Sequence, residues 1–110
     1  MQTTERLTEE LIAEACRDEV GLWLVIAKVR DDLLVQEPEG VKATTFEVIR
    51  RMLESGRAEA GYYSPDGSGI ARWRMPISEV LSKIAAEWTR LEREPDIGEV
   101  VVFVAPSPPA

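Results

Sequence analysis

Four arginines are the first side chains in this sequence with a chemistry to suggest. Arg50 and Arg51 fall in TFEVIRRMLESG, and Arg72 and Arg74 bracket Trp73 in IARWRM. Residues two apart on a strand project to the same face, so Arg72 and Arg74 are expected side by side with Trp73 turned away from them. On a helix, Arg50 and Arg51 share the outward face with Glu47 and Glu54. Such a pattern suits phosphate contact: in a helix-turn-helix protein one helix enters the major groove, and a wing can touch the backbone or the minor groove. Arginine on a solvated strand has a plainer use as well, since it discourages edge-to-edge aggregation and pairs with nearby acids.

Tyr62 and Tyr63 are consecutive on the same expected strand and point to opposite faces, so one of them should be exposed; exposed tyrosine is frequent at protein interfaces. Arg50, Arg51, Tyr62, Tyr63, Arg72 and Arg74 together make the candidate interaction face. Nothing comparable points to catalysis. The chain has no histidine and a single cysteine, Cys16, which excludes Ser/His and Cys/His catalysis, zinc sites and an intramolecular disulfide. Asp31, Asp32, Glu37 and Glu39 lack the Asp-x-Asp-x-Asp-Gly spacing of a calcium loop, and SPDGSG lacks the Lys-Ser/Thr ending of a phosphate loop. No cofactor and no metal are expected, and the chain does not read as an enzyme.

Charge argues against a polyphosphate partner. The net charge is −7, and residues 42 to 74 carry +2 between flanks of −6 and −3. Non-specific DNA binding is almost wholly phosphate neutralisation, so a weakly basic segment on an acidic body is attracted feebly. The same acidity steers a basic protein toward the chain. The N-terminal stretch carries acids where a signal peptide needs a basic start, and LWLVIA is too short to span a bilayer, so a cytoplasmic location and no membrane partner are expected.

These side chains must be positioned by a small set of elements. A chain of 110 residues supports one domain, expected over 1–105, followed by a disordered Pro-rich tail at 106–110. Residues 8–18 predict a first helix, N-capped by Thr8, with Leu11, Ile12, Ala15 and Cys16 inward. Residues 20–34 are apolar nearly all round and predict a second helix, with a buried strand as the lesser alternative for part of it. QEPEGVKA reads as a loop. The third helix is expected to start at a Thr44/Glu47 capping box, to bury Phe46, Ile49, Met52 and Leu53, and to stop at Gly56.

Residues 61–75 predict a β-hairpin, with Pro65, Asp66 and Gly67 in a type I turn. Trp73 and Trp88 are expected in the core. Residues 77–93 predict a fourth helix with Val80, Leu81, Ile84, Ala85, Trp88 and Leu91 inward and a Glu79–Lys83 pair outward. IGEVVVFVA then predicts a strand covered on both faces, or awaiting a partner on one, and able to join the hairpin in a three-stranded sheet. The result is an α+β chain of three N-terminal helices, a β-hairpin, a further helix and a C-terminal strand. This is the order of a winged-helix-like fold.

Ile49, Arg50, Leu53 and Gly56, then Ile84 and Trp88, then Pro95, Ile97, Gly98 and Glu99 carry a resemblance to a group of small, acidic, uncharacterised bacterial proteins. It covers most of residues 20–104 and implies a winged-helix-like fold with no known activity. The function expected from the sequence is a non-enzymatic protein-interaction or regulatory module, with a protein partner or a second copy of itself. The alternative is a DNA-binding winged-helix regulator, which the net charge disfavours.

Overall fold

Thr3 starts the first helix, because its Oγ1 accepts a hydrogen bond from the Arg6 N–H at 3.1 Å and so satisfies a donor the helix leaves unpaired. Thr8, expected as the cap, is instead one turn inside, buried, with its hydroxyl donating to the Thr4 carbonyl at 2.7 Å. The computed structural model, which describes residues 2–106, contains α1 (Thr4–Arg17), β1 (Val20–Gly21), α2 (Leu22–Asp32), α3 (Pro38–Glu54), β2 (Glu59–Tyr63), β3 (Ile70–Arg72), α4 (Ile77–Leu91) and β4 (Val102–Val104). The chain is α+β, four helices beside one antiparallel sheet of order β1-β4-β2-β3.

Three differences from the expected elements have local causes. A buried strand does open the apolar stretch at residue 20, but it is two residues long and gives way to α2 at Leu22, whose N–H reaches the Val101 carbonyl at 3.2 Å. QEPEGVKA is not a loop throughout. Pro38 lacks the N–H that a first helical residue would leave unpaired, so α3 begins there and Thr44 lies in mid-helix rather than at a cap. The tail strand makes a four-stranded sheet, and residues 107–110 of the expected disordered tail lie outside the described residues.

Register explains why β4 is apolar at consecutive positions. Phe103 stands opposite Val20 on one side and Ala60 on the other, and Val102 stands between Gly21 and Gly61. Directly opposed residues share a face, and successive residues alternate. Phe103 and Val101 belong to the core cluster that Leu7, Leu11, Ile26, Val48, Ile49 and Met52 build from the helices. Val102 and Val104 are also buried yet stand outside that cluster, on the opposite face of the sheet.

Helix α4 buries Val80, Ile84 and Trp88, while Leu81, Ala85 and Leu91 are half-buried. The Trp88 ring stacks on Phe46 of α3 at 5.7 Å between centroids, and the Lys42 ammonium lies 5.0 Å from its centre. Lys83 pairs with Glu87 at 2.8 Å rather than with Glu79. Cys16, expected inward, is exposed at the end of α1.

Two substitutions test this packing. Trp88→Ala removes a ring lodged between α3 and α4 and should cost about 3–5 kcal/mol in urea unfolding. Thr45 is fully buried in α3 and its hydroxyl has no hydrogen-bond partner, so Thr45→Val should raise stability by about 1 kcal/mol or more. A destabilised valine variant would show that the hydroxyl is satisfied.

Candidate interaction surface

The hairpin forms where Ser64-Pro65-Asp66-Gly67 turns: the Gly67 N–H donates to the Ser64 carbonyl at 3.0 Å, and Gly67 takes φ +77°, which a residue with a side chain adopts only under strain. The Asp66 carboxylate accepts the Ser68 N–H at 2.9 Å, and hydrogen bonds from the Ser68 side chain and then from its backbone hold the Asp66 pKa below the usual range. The turn carries the chain from β2 into β3.

The four arginines are not gathered into one positive ridge. Arg50 donates to Glu47 at 2.7 and 2.6 Å and to Glu54 at 3.0 Å, and Arg51 donates to the same Glu47 at 2.9 Å. Hydrogen bonds from Arg50 and then Arg51 hold the Glu47 carboxyl below its usual pKa, and Glu47 in turn raises that of Arg50. Arg72 is half-buried against Glu59 at 3.0 Å and donates to the Ala105 carbonyl at 2.9 Å, so it ties β3 to β2 and to the chain after β4. Arg74 lies beyond β3, exposed and without an ion pair among the described residues.

Tyr62 and Tyr63 differ from expectation in that both are exposed, at 38% and 41%, and their rings meet edge to face at 5.3 Å. The Tyr62 hydroxyl donates to the Gly98 carbonyl at 2.5 Å. The Tyr63 hydroxyl donates to Glu19, the residue before β1, and so ties β2 to a strand two places away in the sheet. The hydrogen bond to the Glu19 carboxylate, and then burial, push the phenol up to about 12.

Three exposed apolar side chains escape a reading of the sequence, Trp23, Ile97 and Leu34, the last lying past the end of α2. Trp23, at 37% exposed, lies in the most apolar stretch of the chain and so reads as core; the structure folds its ring over Gly21, where a Cβ would approach it to 2.7 Å. Ile97, at 70% exposed, reads as the start of the tail strand but lies in the turn before it. Its sequence signal is isolation, a single apolar residue between Asp96 and Gly98.

Trp73, expected in the core, is half-buried, with the Lys83 ammonium 4.9 Å from its ring centre. Together with Tyr62, Glu87 and Val100 these two residues line a cleft of about 310 Å³ between the hairpin and α4. A larger groove of about 490 Å³ lies between α1 and α2, floored by Leu11 and Leu24 and rimmed by Glu10, Glu14, Arg17 and Lys28. Among the described residues no group of three acids or cysteines is placed to hold a metal ion, and no helix is long and apolar enough to cross a membrane. No family model, no curated protein and no solved structure matches the chain.

One carboxylate here sets a pH dependence. Glu99 accepts both Arg93 guanidinium nitrogens, at 2.6 and 2.7 Å, and the Asp96 N–H at 2.7 Å, which lower its pKa from 4.5 to about 2. A carboxyl depressed in the folded state stabilises the fold above its unfolded value and loses that contribution as pH falls through the folded one. The urea midpoint of Glu99→Gln should therefore lie below wild type at neutral pH, with a gap that narrows below about pH 4.5 and closes near pH 2. A gap unchanged across that range would show that Glu99 titrates normally.

Proposed function

We propose that this protein is a non-enzymatic, winged-helix-like interaction module whose partner is another protein. The observation that carries the reading is the self-neutralisation of the candidate nucleic-acid face: Glu47, Glu54 and Glu59 already hold Arg50, Arg51 and Arg72. Only Arg6, Lys42, Arg74 and Arg90 among the described cations make no ion pair, and they are spread over α1, α3, the hairpin end and α4. A duplex would have to displace bound carboxylates before it gained phosphate contacts, on a body whose net charge repels it. A protein surface faces no such barrier, and exposed Trp23, Tyr62 and Tyr63 supply the broad rigid rings that interfaces favour.

The order α1, β1, α2, α3, β2, β3 supports the winged-helix-like assignment, with α4 and β4 as additions and β4 built into the sheet between β1 and the hairpin. A DNA-binding regulator is the second reading, and Arg74, exposed and unpaired at the hairpin end, is the observation that favours it. One pair of assays separates them. In a mobility-shift titration against genomic DNA fragments at physiological salt, the wild type should give no shift, while the tagged protein should retain a discrete protein under the same conditions. A specific shift abolished by replacing Arg50, Arg51, Arg72 and Arg74 with alanine, at unchanged melting temperature, would establish the regulator instead.

A further inference from the structure

We propose that the turn joining α4 to β4 is a preformed binding knob, with Ile97 as its apolar tip and a basic protein surface bearing an apolar pocket as its target. The proposal rests on the protein-binding reading above and names the surface and the chemistry of the partner. Ile97 is the most exposed large apolar side chain among the described residues. A single exposed aliphatic residue is ordinary on a surface. What distinguishes Ile97 is how firmly the chain around it is held.

Both sides of the tip are fixed. The Ile97 N–H donates to Asp96 Oδ1 at 2.8 Å, and the Glu99 N–H donates to the Asp96 carbonyl at 3.1 Å, closing the turn. Glu99 clamps it from below through Arg93, and Tyr62 reaches from the hairpin to the Gly98 carbonyl. Pro95 is buried at its base. Beyond the tip, Val100 takes φ +71°, a left-handed conformation that a β-branched residue rarely adopts. Such strain persists only where the surroundings over-determine it, and it recurs where a backbone is pre-organised for binding. Because the turn is ordered in advance, a partner meets little conformational entropy on docking.

Charge then selects the partner. Glu94 and Glu99 are engaged by Arg30 and Arg93, whereas Asp96, whose Oδ1 accepts the Ile97 N–H, and Glu92, the residue that caps α4, are exposed and make no ion pair among the described residues. An aliphatic tip with an acidic rim, on a chain of net charge −7, complements a pocket with a cationic rim. The long-range attraction raises the encounter rate, and the apolar contact slows dissociation.

The test places the photo-crosslinker p-benzoylphenylalanine at position 97 in living cells and, in separate chains, at positions 23, 34 and 63. Position 34 is the control, since Leu34 is 62% exposed and lies outside the knob. Expected is an adduct from position 97, absent from 34, with one protein of isoelectric point above about 9, and its loss when Glu92→Lys is combined with Asp96→Asn, which removes the charge and keeps the Oδ1 acceptor for the Ile97 N–H. The captured protein, once purified, should bind Ile97→Ser about tenfold or more weakly than wild type, at unchanged melting temperature. Adducts from 23 or 63 with none from 97 would overturn the knob and leave the protein-binding reading standing. No adduct at any position would end both. An acidic captured protein, or an Ile97→Ser variant that binds it as tightly as wild type, would also overturn the proposal.

Discussion

Phe103 lies between Val20 and Ala60, and through those two pairings β4 joins parts of the chain that do not pair with each other. Among the described residues β1 has no strand neighbour except β4, and the hairpin reaches β1 across it. The same strand fixes where α2 begins, through the bond from Leu22 N–H to the Val101 carbonyl. Burial on both faces accounts for its run of consecutive apolar residues: one face completes the helical core, and the other needs cover from elsewhere. Part of that cover comes from Trp23, whose ring lies over Gly21, the residue opposite Val102. A Cβ on Gly61 would stand 2.7 Å from the Ala71 carbonyl oxygen, so the hairpin also requires glycine there. Sheet closure thus depends on contacts distant in sequence, the kind that makes folding slow relative to a helical bundle of the same length.

Charge is arranged as locally as the sheet is not. Arg17 pairs with Glu14, Lys28 with Asp32, Arg50 and Arg51 with Glu47, and Lys83 with Glu87, all within one helical turn. Exposed pairs of this kind add little to stability. Their consequence is electrostatic: each cation is cancelled close to its own backbone, and the surplus carboxylates are left to set the long-range field. A few pairs reach further. Arg57 holds Glu9 and links the end of α3 to α1, and Arg72 holds Glu59 across the hairpin. Arg50, Arg51 and Arg72, which read as ligands for phosphate in the sequence, therefore act here as internal ties, and Arg74 does not.

Helices α3 and α4 and the hairpin were legible because their signals are local: Gly56 at φ +73° ends α3, the Val80, Ile84 and Trp88 spacing marks the buried face of α4, and Ser64 to Gly67 closes a turn. The start of α3 was not, since Pro38 and Gly40 signal a break wherever the chain is read without knowing which residue is first in the helix. The two-residue strand β1 was visible only as β-branched content at Val20, because its existence is decided by Phe103, more than eighty positions away. Tyr62 and Tyr63 were legible as candidates and misread in geometry: strand alternation sets where a Cβ points, whereas long side chains at a strand end follow their hydrogen bonds, here to Gly98 and Glu19. The loss of Cys16 from the core has the same origin, in that helical phase alone could not show that the stripe ends at Ala15.

The turn before β4 brings the two halves of this argument together. For β4 to enter between β1 and β2, the chain leaving α4 must reverse within the ten residues 92–101, and it does so through left-handed backbone at Glu92, Gly98 and Val100. Gly98 adopts that conformation freely, but Glu92 and Val100 do not, so the topology itself places strain at this corner. The Arg93–Glu99 pair, buried Pro95 and the Tyr62 hydroxyl suffice to hold it. None of these contacts uses the Ile97 side chain, which adds nothing to the core and leaves apolar surface in water. A polar residue at that position would satisfy the fold equally well, and that surplus is the physical ground for assigning the tip to recognition rather than to architecture.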